Sequence, residues 1–208
     1  MIIPVMGVLA ALLPAAFGGR LSRLAGLRLR GVWWLFAALG AQIAILEVFN
    51  DDGRPALLRV VHLGSYAVAG AFLFANRRLP GLWLLGIGAA SNAITIAVNG
   101  GVLPASADAM RTAGIPVASG FMNSGPVTDP HLAFLGDVFA IPASIPLADV
   151  FSIGDVLIVL GVALASVRVC GTHWTRPWEP SPAAPVGRHR MTARERVLSA
   201  AHLPVPGL

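Results

Sequence analysis

Residues 131–158 read HLAFLGDVFAIPASIPLADVFSIGDVLI and hold three of the chain's seven aspartates, Asp137, Asp149 and Asp155. Two of them follow glycine, as Gly136-Asp137 and Gly154-Asp155, and the second pair leads straight into an apolar run. A carboxylate at the mouth of a membrane span is expensive to place and usually has a function. Whether that run is a span decides the fold.

The 208-residue chain is 56% hydrophobic and 12% charged, with a mean hydropathy of +0.74. Soluble domains carry about 25% charged residues, so this chain reads as built for lipid. Its length suits one membrane domain of several helices plus a tail. The net charge of +5 comes from fifteen arginines and no lysine. Without aromatic interleaving or a basic soluble domain, those arginines read as topology determinants and not as a nucleic-acid surface. A single cysteine, Cys170, excludes an internal disulfide and a Cys-based zinc site.

Outward from the opening stretch, residues 151–169 form one expected span. Upstream, the spacing predicts four more at about 2–19, 32–49, 57–75 and 81–98, each near the length that crosses a core of roughly 30 Å. The first is expected to be retained, since no basic residue precedes it and no convincing cleavage site follows. Trp33, Trp34 and Trp83 sit where headgroups lie. Between the fourth and fifth spans, residues 99–150 lose helical periodicity and carry six prolines between 104 and 146. A loop that long is usually functional or disordered. Residues 132–141 are too short to span and are expected at the interface or dipping against protein. Residues 171–208 form a Pro/Arg-rich tail in which Thr192-x-x-Glu195 suggests one surface helix.

Charge assigns the sides. With the amino terminus outside, segments 19–31, 76–80 and 168–208 are cytoplasmic and hold twelve of the fifteen arginines, while eight of ten acidic residues face outward. The expected fold is therefore all-α and integral to the membrane, a five-span domain over 1–170. Its carboxyl terminus is cytoplasmic and its loop over 99–150 is extracytoplasmic. The expected location is the cell membrane, multi-pass.

In the fourth span Gly88, Asn92, Thr95 and Asn99 are spaced i, i+4, i+7, i+11 and share one helical face. Glu47 closes the second span on the same side, His62, Ser65 and Tyr66 open the third, and Asp155 opens the fifth. Asn and Thr in such places more often join helices than bind ligands. A lone His62 more often sits hydrogen-bonded in a core than on a metal, because ligands come in sets. Asp155 can serve simply as an acid near a helix amino terminus, Asp149 can initiate the turn before the last helix, and Asp51 and Asp52 read as solvated.

Three blocks also carry a resemblance. Asn99-Gly100-Gly101-Val102-Leu103-Pro104, Phe134-Leu135-Gly136-Asp137 and Phe151-Ser152-Ile153-Gly154-Asp155 resemble a family of uncharacterised bacterial multi-span proteins, a domain of unknown function in actinobacteria and clostridia. There N-G-G-x-M-P, L-G-D and F-S-x-G-D recur in this order; Leu103 stands where methionine is usual. The likeness reaches to about residue 170 and implies no established activity. A weaker similarity is to lipoprotein signal peptidase, an intramembrane aspartyl protease with F-N-x-A-D at the start of its last span. Phe151 and Asp155 fit that pattern, with Gly154 for Ala and Ser152 for Asn. Asp137 lacks the Asn and Arg of the peptidase's G-N-x-x-D-R, and five spans replace four.

Three functions fit these residues. The first is a non-catalytic binding or accessory module whose polar cluster lies in the outer half of the bundle. The alternative is an aspartyl-type hydrolase with Asp137 and Asp155 as catalytic pair, one protonated and one ionised. In that case Asn92, Thr95, Asn99, His62 and Glu47 would line the substrate site. The third is a small transporter, which the apolar cytoplasmic half disfavours. No metal or cofactor is expected. The expected partners are the lipid bilayer and a lipid or membrane protein, with no nucleic acid.

Overall fold

A computed structural model describes residues 2–45, 55–116 and 123–179. The expected site residue Glu47, the acidic pair Asp51 and Asp52, and the tail helix expected at 192–203 lie outside the described residues. Two helices are long and apolar enough to cross a membrane, Ala56–Ala75 and Ile153–Cys170; three further apolar helices are shorter.

The long elements are α1 (Ile2–Ala16), α3 (Val32–Ile43), α4 (Pro55–Ala75), α5 (Leu82–Val98) and α7 (Ile153–Cys170), with a one-turn α2 (Ser22–Ala25) after α1. α7 packs between α1 and α5, and α4 between α5 and α3, so the helices neighbour one another in the order α1, α7, α5, α4, α3. Long helices that follow one another in the chain run in opposite directions, which leaves the neighbours α1 and α7 parallel. The end of α1 meets the end of α7, where Arg20 N–H and the Arg23 guanidinium both donate to Cys170 C=O, at 3.3 and 2.8 Å. The start of α3 meets the end of α4 through Asn76, whose side chain accepts from Arg30 N–H at 2.9 Å and donates to Arg30 C=O at 2.8 Å. Arg20, Arg23, Arg28, Arg30, Arg77, Arg78 and Arg168 thus gather at one end, called here the arginine end.

Helix limits follow from local chemistry. α1 stops at Ala16 and not at residue 19, because Gly18 takes φ +75° and turns the chain. Pro14 inside α1 has no N–H, which frees the Ala10 carbonyl. Ser166 of α7 donates its hydroxyl to that carbonyl at 2.8 Å, so the gap in the ladder becomes a helix–helix bond.

At the opposite end, segment 99–150 forms a cap with its own short elements: β1 (Leu103–Pro104), α6 (Ala107–Ala113), β2 (Ser124–Gly125), a 3-10 turn Ala133–Leu135, β3 (Asp137–Ile141) and β4 (Asp149–Ser152). β1 and β2 pair in parallel; β3 and β4 form an antiparallel hairpin with a bulge between Asp137 and Phe139. The hairpin continues directly into α7, so that helix begins at Ile153 and not at 151. Two clamps fasten the cap. Asn99 at the end of α5 accepts from His131 N–H and donates to His131 C=O, both at 2.8 Å, repeating the device of Asn76 and Arg30. Ile2 N–H at the start of α1 donates to the Asp149 carboxylate at 2.7 Å.

Candidate functional site

The polar groups singled out from the sequence meet where the cap sits on α4, α5 and α7. Ser152 ends β4 and caps α7: its hydroxyl accepts from Asp155 N–H at 3.0 Å, and the Asp155 carboxylate accepts from Ser152 N–H at 2.9 Å. This reciprocal capping box satisfies two backbone donors that a helix start otherwise leaves open. The other Asp155 oxygen accepts from the Asn92 amide of α5 at 2.9 Å, and the Ser152 hydroxyl lies 3.0 Å from the Asn92 amide oxygen. Asn92 and Ser152 are buried. One side chain from α5 thereby locks onto the first turn of α7.

This lock requires the helices to approach closely, and glycines permit it. A methyl group on Gly154 would lie 2.0 Å from the Asn92 amide oxygen and 2.8 Å from Gly88 C=O. One on Gly88 would lie 2.4 Å from Gly154 C=O. Seven residues further in, Gly161 faces Leu85 and Gly81 faces Gly161 at similar range. Gly88 on α5 and Gly154 with Gly161 on α7 are therefore small-residue contacts of the kind that let apolar helices pack backbone to backbone.

Asp137 is placed differently. It starts β3 opposite Ser152, and its carbonyl accepts from Ser106 N–H at 3.0 Å. Its side chain accepts from the Ser124 hydroxyl, while its second oxygen has no partner among the described residues. The residue is 4% exposed. Burial pushes its carboxyl up to about 7 against an ordinary 3.8; the Ser124 bond opposes this, and the charges of Asp155 and Asp149 add to it. Asp137 and Asp155 are thus within electrostatic reach of each other, and both act on the Tyr66 phenol of α4.

His62 is buried one turn before Tyr66, with the rings edge-to-face at a centroid distance of 5.3 Å, and the Asn123 side chain lies beside it. Thr95 is buried but back-bonds to Ser91 C=O at 2.9 Å, and Asn99 is committed to His131. Of the expected site residues, the structure brings Asn92 and Asp155 into contact and sets Asp137 and His62 beside them, while Thr95 bonds back within α5 and Asn99 holds His131 of the cap. Among the described residues no group of three or more His, Cys, Asp or Glu could hold a metal ion.

Three members of the cluster were not singled out beforehand. Ser152-Ile153-Gly154-Asp155 ahead of an apolar run is a readable S-x-x-D capping signal. Ser124 and Asn123 sit in a Pro/Gly/Ser-rich stretch where no pattern marks them.

The class defined by this fold and seam is an apolar helix bundle whose polar end is closed by a small α/β cap. The chain belongs to the Family of unknown function (DUF5317), whose family model matches residues 26–167. That match takes in α3, α4, α5, the whole cap and most of α7. Comparison with curated proteins gives no match, and comparison with solved structures gives none.

Proposed function

We propose that this is a multi-pass membrane protein with five spans and an extracytoplasmic cap, acting as a non-catalytic binding or accessory module. The membrane reading is supported by large apolar side chains that face outward all around the bundle, among them Leu9, Phe36, Leu39, Val60, Phe74 and Ile94. In water such a surface would drive association. The apolar helices α1, α3 and α5 are shorter than α4 and α7, a mismatch that local thinning of the bilayer accommodates.

One observation carries the non-catalytic reading: the acidic groups are spent on structure. Both Asp155 oxygens are bonded within the α5–α7 seam, and Asp137 is buried under the cap with one oxygen held by Ser124. A second reading, an aspartyl-type hydrolase, is favoured by the raised carboxyl of buried Asp137, the property of a general acid. Substitution separates the two. In a host whose loss of this protein has a visible defect, Asp137→Asn and Asp155→Asn should each restore the wild-type state at normal protein level. Failure of both variants, at normal protein level, would replace the module with the hydrolase.

A further inference from the structure

We propose that the β3–β4 hairpin, with the 3-10 turn that precedes it, docks on a lipid surface by setting its apolar side chains into the leaflet on the cap side. This rests on the membrane reading above and adds a contact that the five helices do not supply. Between Pro130 and Ala148 the only Asp, Glu, Lys or Arg is Asp137, and it is buried. The large exposed side chains there are mostly apolar, Phe134 at 69% exposed, Ile145 and Leu147 at 50% each and Phe139 at 43%, with His131 and Ser144 as the exposed polar ones. A water-facing loop normally presents polar groups, whereas an interfacial element presents aromatic and aliphatic ones.

Backbone conformation points the same way. Leu132 and Leu147, at the two ends of this unit, have φ of +52° and +66°. That region is uncommon for residues other than Gly, Asn and Asp, and is retained where surrounding structure or function demands it. Here it holds two leucines with their side chains outward.

The apolar surface is also continuous with the bundle. Ile141 and Phe151 of the hairpin line an apolar crevice of about 220 Å³ together with Ile2 and Met6 of α1 and Val159 and Leu160 of α7. Met6 and Leu160 are themselves exposed. The hairpin therefore extends the flank of α1 and α7; Asp155, which also lines the crevice, has both oxygens bonded to Asn92 and Ser152, and Asp149 is bonded to Ile2 N–H.

The test uses spin labels on single cysteines in a Cys170→Ser background, with the full chain in phosphatidylcholine/phosphatidylglycerol nanodiscs. Labels at Phe134 and Leu147 report the hairpin, labels at Leu39 and Ile94 report the helices, and a label at Thr128 reports exposed cap. The expected result is that Phe134 and Leu147 labels are relaxed more by oxygen than by a nickel chelate, as at Leu39 and Ile94, with Thr128 reversed. Hairpin labels that behave like Thr128 while the helix labels read lipid would overturn the docking and leave the membrane reading intact. Helix labels that read water would overturn both. Hairpin labels shielded from both reagents would show a second copy covering the surface and would overturn lipid as its partner.

Discussion

At the scale of single residues the decisive contrast is between two aspartates that share a neighbourhood. Asp155 is compensated, with a helix amino terminus, a backbone N–H, an amide and a hydroxyl around it. Asp137 has one hydroxyl, a second oxygen without a described partner, and two other carboxylates within reach. A buried acid in that position is cheaper protonated. With its carboxyl raised from 3.8 to about 7, the folded protein keeps a proton that the unfolded chain has already released across that interval. Stability from this group is therefore greatest below about pH 4, falls as pH climbs toward 7, and levels off above it; the full span is on the order of a few kcal/mol. Asp137→Asn, which resembles the protonated acid, should remove this dependence. Thermal unfolding of the detergent-solubilised protein between pH 4.5 and 8 checks it: the wild type should lose several degrees relative to the variant. Parallel curves would show that Asp137 is ionised throughout.

At the scale of elements the α5–α7 seam is the most extensive helix contact among the described residues, and it depends on having no side chain at particular points. Gly154→Ala places a methyl 2.0 Å from the Asn92 amide oxygen, and Gly161→Ala places one 2.5 Å from the Leu85 backbone nitrogen. Each should cost about 1–3 kcal/mol, as overpacking does. Gly86→Ala, two residues from Gly88 on the same helix, meets nothing within 4 Å and should be neutral or stabilising by up to about 1 kcal/mol. Unfolding midpoints of the three variants check this, and a Gly154→Ala protein as stable as Gly86→Ala would contradict the close packing. The sequence made half of this seam legible. Spacing of 3.6 put Gly88, Asn92 and Thr95 on one face, and the structure buries all three. It could not say that Gly154 and Gly161 face that stripe, because partners some 60–80 residues apart leave no local period. The cap was less legible still. β3 and β4 are short, are separated by a link that holds Pro142 and Pro146, and expose neighbouring residues Val138 and Phe139 through the bulge, so strand alternation never shows.

For the molecule as a whole, the alternating direction of successive helices turns a charge pattern along the chain into a charge difference between two ends. Arginines from the α1–α3 link, the α4–α5 link and the end of α7 gather together, held by backbone contacts such as Asn76 with Arg30 and Arg23 with Cys170. The cap end carries Asp108, Asp129, Asp137, Asp149 and Asp155, with Arg59 and Arg111 as the described cations there; Arg111 is paired with Asp108 at 2.6 Å. Short loops rich in arginine are retained in the cytoplasm. The arginine end should therefore lie inside and the cap outside, an assignment that rests on the charge difference and on five crossings together. The link between them can be broken experimentally, because the tail leaves from the arginine end of α7. A reporter fused after Leu208 should be active only as a cytoplasmic fusion, and the same reporter inserted at Thr128 only as an external one. Both signals on one side would mean that α7 does not cross. Signals on opposite sides but exchanged would mean that the arginines do not set the orientation.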